Sequence, residues 1–308
     1  MPVSTEITGY AVSFLVYLHS LSGDERYLDA ALRAARFLTR TAWDPERQVM
    51  PFEIEPATRA YFFDCGIIAR GLLSAWRATK DEEFLSVAIA VGNSMMRDFA
   101  SDEGDFHPVL ALPRKTPEPR DAARWSRSAG CYQLKAAMAW WELFEATGEN
   151  CFREPYKKVL EYALATHGQF LAAPPEQIMD RLHAFCYFFE GLLPFAHEPR
   201  YAQALSASRL VHAFLRRLTP EFARSDVYAQ LLRARLFANW AGAVPLDRDA
   251  ADEEAAALAK FQAEDGGYWF GRKSGELMPY INPVSAAFAG QALELWENRQ
   301  QVTRHVLI

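Results

Sequence analysis

Four residues at the starts of long apolar segments have side chains suited to acid/base chemistry. Glu6, Asp64 and Asp226 each lie in the first residues of such a segment, and His183 lies in the first residues of another. Carboxyl and imidazole groups that share one cavity can donate and accept protons during cleavage of a glycosidic bond. We therefore predict Glu6, Asp64, Asp226 and His183 as catalytic residues. The alternative is that the acids cap helices and that the histidine is a hydrogen-bonded core residue.

Polar and aromatic side chains recur at the same level of these apolar segments and in the loops that precede them. Aromatic rings can stack on sugar faces or pack the loops, while amide, hydroxyl and guanidinium groups can bind a polar ligand. The predicted substrate-binding residues are Tyr10, Arg127, Gln133, Tyr187, Gln230, Trp269, Tyr280 and Asn282.

The loop over residues 114–127 carries five cations in a protein whose formal net charge is -6. This local excess favours an anionic ligand, such as a uronate or a phosphate, held by Arg127. The alternative is a solvated loop whose charges face water.

Helices must position these residues, because the chain repeats one pattern of an apolar helix, a short turn and an amphipathic helix. Five copies begin near residues 9, 65, 131, 184 and 227, and a sixth apolar helix spans 283–299. The first helix of each copy is apolar nearly all round, whereas the second has a charged face. Each copy is predicted to be an αα-hairpin with an inner first helix and an outer second helix.

About six such hairpins predict an all-α fold, an (α/α)6-type toroid that forms one domain over residues 1–308. Six inner helices but five clear outer helices are recognised, so the last outer helix is absent or lies outside this sequence. The long connections all run from an outer to an inner helix and therefore share one face. The inner helices begin at that face, where their N-termini favour an anionic or hydroxyl-rich ligand in a central funnel.

Composition narrows the class of protein. Half of the residues are apolar, and the charge is spread without long runs, which argues against nucleic acid or an anionic membrane as the main partner. The absence of a membrane-length apolar stretch and of a secretory signal predicts a cytoplasmic protein. The four cysteines are far apart and lack metal-like spacing, so we predict reduced thiols, no metal and no cofactor.

Several short motifs carry a resemblance to a known family. They are Thr5-Glu6-x-x-Gly9-Tyr10, Phe63-Asp64-x-Gly66 with Gly71-Leu72, His183-x-x-x-Tyr187-x-x-x-Gly191-Leu192, and Ala229-Gln230. Over most of the chain the sequence resembles bacterial toroid proteins of the six-hairpin glycosidase superfamily, which are associated with polysaccharide metabolism. In related toroid enzymes, unsaturated uronyl hydrolases use an Asp pair and N-acylglucosamine 2-epimerases use two histidines. Here the inner helices offer one histidine, His183, but two aspartates on separate helices, Asp64 and Asp226, so the resemblance leaves an acid-pair hydrolase open.

These features together predict a carbohydrate-active enzyme, a hydrolase that acts on an acidic, uronate-containing saccharide. Two other classes stay open. A non-catalytic glycan-binding or complex-forming toroid would bind a saccharide without turnover. A terpenoid or prenyl-transfer enzyme would need an aspartate-rich motif for a metal-bound diphosphate, and the sequence has no DxDD or DDxxD.

Overall fold

The computed structural model describes residues 3–308, apart from the side chains of residues 175 and 176. In this range the chain forms twelve α-helices and six short strands. The helices are α1 (Thr5–Ser22), α2 (Glu25–Phe37), α3 (Phe62–Thr79), α4 (Glu82–Asp98), α5 (Gln133–Thr147), α6 (Asn150–Phe170), α7 (Pro175–Leu192), α8 (Pro199–Leu205), α9 (Ser208–Leu218), α10 (Ser225–Trp240), α11 (Arg248–Ala259) and α12 (Pro283–Asn298). The strands are β1 (Arg59–Tyr61), β2 (Val109–Ala111), β3 (Thr116–Pro117), β4 (Phe222–Arg224), β5 (Gly271–Lys273) and β6 (Glu276–Leu277).

The helices belong to two compact units. The first unit comprises residues up to 165 together with 305–308, and the second comprises residues 166–304. Within residues 3–308, no helix is both long and apolar enough to cross a membrane. The interpretation of the chain as one domain stays a prediction.

The first unit consists of the predicted αα-hairpins. Helices α1, α3 and α5 pack side by side, and α2 and α4 pack against them as outer helices. Most residues of α3 are buried, whereas α2 buries only Ala31 and Ala35 along one face. The difference follows from the sequence, because α2 alternates charged and apolar residues at helical spacing and α3 does not.

The second unit repeats this arrangement around α10, which packs against α7, α11 and α12 and is almost wholly buried. Two shorter helices, α8 and α9, stand where a single outer helix was predicted. After α12 the described chain contains only the 3-10 turn Arg304–Val306, so the last inner helix has no outer partner among the described residues.

A small antiparallel sheet lies at the start of one inner helix in each unit. In the first unit the order is β1-β2-β3, and β1 runs directly into α3; in the second it is β4-β5-β6, and β4 runs directly into α10. These strands were not predicted, because two or three residues are too few to show an alternating pattern. Each sheet ties a long loop to the start of the helix that follows its first strand.

Glycines allow the inner helices of the first unit to approach closely. A Cβ atom built on Gly9 would lie 2.9 Å from the Cα of Ile68, and one on Gly71 would lie 2.5 Å from the carbonyl oxygen of Gly9. Gly66 meets Ala136 of α5 in the same way, with its built Cβ 2.5 Å from the Cα of Ala136. Backbone atoms cannot move aside as side-chain ends do, so these contacts fix the distances from α3 to α1 and to α5.

Gly66→Ala is therefore expected to destabilise the protein by about 1–3 kcal/mol, because the added methyl group forces α3 away from α5. The measurement is urea unfolding followed by circular dichroism. Gly168→Ala on α6 is the matched control, since no atom lies within 4 Å of its built Cβ. The control should be neutral or slightly stabilising, and an equal loss in both variants would contradict the packing argument.

Candidate active site

Glu6 of α1 and Asp64 of α3 form a carboxyl pair in the first unit. Glu6 lies three residues before Gly9 and Asp64 lies four residues before Ile68, so each is about one helical turn from the crossing of the two helices. The charge of Glu6 contributes to the raised pKa of Asp64, which places both side chains on the same side of that crossing.

Loop contacts hold the starts of both helices. The backbone N–H of Thr5 donates to the Phe52 carbonyl at 3.1 Å, and the Thr5 hydroxyl donates to the Pro51 carbonyl at 2.7 Å. The backbone N–H of Phe62 donates to the Pro108 carbonyl at 3.0 Å. Ser4 caps α1 by accepting from the N–H of Ile7, so Glu6 is not the capping residue.

Burial keeps a proton on this carboxyl pair. It raises the pKa of Glu6 to about 7 and, together with the charge of Glu6, raises the pKa of Asp64 well above its usual range. Asp64 is 8% exposed, and its Oδ2 has no hydrogen-bond partner within residues 3–308. Two ionised carboxylates with little solvation repel each other, so the pair retains a proton near neutral pH. One carboxyl can then act as an acid while the other acts as a base.

The other predicted site residues of the first unit have structural contacts. Tyr10 is buried. The Gln133 side chain accepts from the N–H of Gly130 and donates to the Phe106 carbonyl, so it holds the preceding loops in place. Arg127 donates to Glu118 at 2.7 Å.

Most cations of the basic loop are matched by nearby carboxylates. Lys115 pairs with Asp98, and Arg120 pairs with Asp105 and Glu103. A cation that is already paired offers less attraction to an anionic ligand. Anion binding by this loop, including by Arg127, stays a prediction.

In the second unit, a set of five polar residues surrounds the start of α10; we call it the Arg224 cluster. Its members are Asp180, His183, Arg224, Asp226 and Gln230. Arg224 donates to Asp226 Oδ1 and Oδ2 at 3.0 and 2.6 Å and to Asp180 Oδ1 at 2.6 Å. His183 Nδ1 lies 2.7 Å from Gln230 Oε1 and 3.5 Å from Asp226 Oδ2.

The pKa values of the two aspartates predicted on α3 and α10 are shifted in opposite directions. Burial alone would raise the pKa of Asp226, but the charge and the hydrogen bonds of Arg224 outweigh it and hold that pKa below its usual range. Asp226 is therefore ionised at neutral pH, whereas burial and the charge of Glu6 shift the pKa of Asp64 in the opposite direction. A carboxylate that accepts two hydrogen bonds from arginine stays ionised and has no proton to donate, but it can orient a neighbouring imidazole.

His183 is a neutral imidazole at physiological pH. Burial lowers its pKa to about 4, and the charge of Arg224 adds to this effect while Asp226 opposes it. Because the amide oxygen of Gln230 can only accept, Nδ1 carries the proton and Nε2 is the basic nitrogen. The Tyr187 ring packs edge-on against the imidazole with the ring centroids 4.7 Å apart.

The remaining predicted residues lie in the loops of the second unit. Asn282 caps α12 by accepting from the N–H of Val284 and of Ser285. Trp269 forms a β-bridge with Ile281, and its carbonyl accepts from the Ser225 hydroxyl at 2.7 Å. Tyr280 is 45% exposed.

Two members of the Arg224 cluster were missed in the sequence. Neither Asp180 nor Arg224 is among the site residues that the sequence predicts. The available signal for Arg224 is a cation two residues before Asp226, at the point where β4 ends and α10 begins. Within the described residues, no group of three or more His, Cys, Asp or Glu side chains could hold a metal ion.

Comparison with known proteins relates this chain to others through its structure. No family model matches it, and no curated protein matches its sequence. A sugar epimerase from a ruminal bacterium superposes with a TM-score of 0.72 and 13% identity, covering 98% of this chain and 89% of the other. Cellobiose 2-epimerase from Spirochaeta thermophila superposes with a TM-score of 0.75 and 13% identity, covering 97% of this chain and 87% of the other.

A third structure is the unsaturated glucuronyl hydrolase from Bacillus sp. GL1, with a TM-score of 0.63 and 15% identity over 94% of this chain and 86% of the other. These likenesses extend over nearly the whole chain at low identity, so they establish the fold and confirm the prediction from the sequence. The protein has an (α/α)6-type toroid fold, which it shares with these sugar epimerases and with the glucuronyl hydrolase.

Proposed function

We propose that this protein is a carbohydrate-active enzyme, a hydrolase of an acidic saccharide in which the Glu6–Asp64 carboxyl pair supplies the acid and the base. The observation that carries the proposal is the placement of Glu6 beside the buried Asp64 near the crossing of α1 and α3, where poor solvation raises the pKa of Glu6 to about 7. Enzymes that protonate a glycosidic oxygen at neutral pH need a carboxyl group with such a raised pKa.

The pair can catalyse hydrolysis by donating one proton and taking up another, so that it ends each cycle with the single proton it began with. The protonated carboxyl donates to the glycosidic oxygen, and the bond from that oxygen to the anomeric carbon breaks. The ionised carboxyl takes a proton from the water that attacks the anomeric carbon, so a new C–O bond replaces the broken one. The products are two free sugars, and the pair again holds one proton.

Proteins of the same fold support the substrate class. Among them are an unsaturated glucuronyl hydrolase that degrades glycosaminoglycan, a polysaccharide lyase and several sugar epimerases. The preference for an acidic saccharide rests on the likeness to the unsaturated glucuronyl hydrolase.

The test is a panel of neutral, amino and uronate oligosaccharides assayed for new reducing ends from pH 4 to 9. Glu6→Gln is expected to lower kcat by roughly 10²- to 10⁴-fold, because an amide cannot exchange the proton. The wild-type rate should change with an apparent pKa near 7, and that transition should be missing from the residual activity of the variant.

Glu25→Gln is the matched control, an exposed acid in the first turn of α2, and should leave the rate and its pH profile unchanged. Saccharide turnover that is equal in Glu6→Gln and wild type would exclude the carboxyl pair as the catalytic acid. Binding of a saccharide without turnover in the wild type would favour the non-catalytic glycan-binding module instead.

A second reaction class, proton abstraction next to a sugar carbonyl, is favoured by the Arg224 cluster. The observation is the neutral His183, whose Nδ1 is oriented by Gln230 and Asp226 so that Nε2 is the base. Epimerases and an isomerase of the same fold support this candidate. In the same panel run in D₂O, incorporation of deuterium at a sugar carbon without new reducing ends would identify it.

A further inference from the structure

Large apolar side chains are exposed at the end of β6 and in the segment that leads from β6 to α12. Leu277, Tyr280 and Ile281 are 41%, 45% and 40% exposed, and all three lie within five residues. Exposed apolar side chains that lie together mark a binding surface more often than single exposed apolar side chains do. The nearby polar groups indicate which ligand would be bound.

Tyr280 is held rigidly although it is exposed. Its ring stacks on Phe270 with the centroids 5.1 Å apart and the planes 22° apart, and its carbonyl accepts from the Phe270 N–H at 3.1 Å. The guanidinium of Arg224 lies 4.7 Å from the centroid of the Phe270 ring. Because one face of Tyr280 packs on Phe270, the opposite face is presented outward and little side-chain entropy is lost when a ligand covers it.

The charged groups beside this ring favour a ligand without a negative charge. Arg224 contributes one positive charge, while Asp226 and Asp180 contribute two negative charges, which gives a net charge of -1 for the three. These same three groups act on the Tyr280 hydroxyl, so they lie close to the ring. The Asp180 side chain is 52% exposed and can accept hydrogen bonds from ligand hydroxyl groups.

We propose that Tyr280 and Asp180 form a subsite for a neutral pyranose unit, whose apolar face stacks on Tyr280 and whose hydroxyl groups donate to Asp180. The proposal rests on the saccharide class proposed above, but not on the Glu6–Asp64 pair. A uronate unit is disfavoured at this subsite because its carboxylate would meet Asp180.

The experiment measures binding by isothermal titration calorimetry in an Asp64→Asn background, so that turnover does not interfere. The probes are a neutral glucose oligosaccharide, a glucosamine oligosaccharide and an oligouronate. Tyr280→Ala is expected to weaken binding of the neutral probe about tenfold, whereas Tyr280→Phe, which keeps the ring, should bind normally. Leu210→Ala is the matched control, an exposed apolar residue on α9.

Asp180→Asn is expected to weaken binding of the neutral probe. It should also raise the affinity for the oligouronate relative to that for the neutral probe, because the negative charge is removed. Unchanged affinity for the neutral probe in Tyr280→Ala, an equal loss of affinity for the oligouronate in the same variant, or no binding of any probe would overturn the subsite. Turnover of saccharides by the unmodified protein decides the carboxyl-pair proposal separately, so the two failures are distinguishable. Thermal unfolding of each variant checks that the fold is retained.

Discussion

Replacing Asp64 by Asn is expected to lower kcat/KM by roughly 10²- to 10⁴-fold while the chain remains folded, because the amide is isosteric but cannot carry the proton. The same substitution should reduce the loss of stability at high pH. In the wild type the folded pKa values of Glu6 and Asp64 lie above their unfolded values, so the folded state binds protons more tightly. Stability therefore falls as the pH rises from about 4.5 towards 7 and above.

The measurement is the saccharide assay together with thermal unfolding at pH 5 and pH 8. The difference in Tm between the two pH values should be larger in the wild type than in Asp64→Asn, since the variant removes one of the two repelling charges. Asp29→Asn, an exposed acid on α2, is the control and should alter neither quantity. If Asp64→Asn retained full activity, Asp64 would have no part in the mechanism.

Replacing Arg224 by Met is expected to destabilise the protein by about 3–5 kcal/mol, because it leaves the buried Asp226 without its cationic partner. It should also raise the pKa of His183 above its wild-type value of about 4. The positive charge of Arg224 contributes to that low pKa, and an unpaired Asp226 attracts the imidazolium more strongly. Denaturant unfolding measures the first effect, and an NMR titration of the imidazole measures the second.

Arg26→Met is the control for charge removal, since Arg26 forms an exposed pair with Asp24 and its loss should not be measurable in unfolding. Arg224→Lys provides a folded alternative if the Met variant does not accumulate, because it keeps the charge but loses the two-bond geometry. It should give a smaller rise in the pKa of His183 than Met does. A histidine that titrates identically in all three proteins would show that Arg224 does not set its state.

The helical organisation was accessible from the sequence because its signals are local. Apolar spacing distinguished the buried α3 and α10 from the one-sided α2, and turn residues located the hairpins. The two small sheets escaped prediction, since their strands are short and their partners lie in distant loops. Gln133 and Asn282 illustrate the same limit, because the sequence did not show that backbone groups engage both polar atoms of the Gln133 amide and the Asn282 side-chain oxygen. Their binding of substrate stays a prediction.

The sequence by itself determined that acids stand at the starts of the inner helices. Only the tertiary structure decided which of them keep a proton. Glu6 and Asp64 are 58 positions apart, and their pKa values are raised because α1 and α3 bring them together where solvation is poor. Asp226 stays ionised because Arg224 pairs with it. Residue type sets the ordinary pKa, but solvation and neighbouring charge set the actual one, and both depend on contacts that form only when the chain is folded.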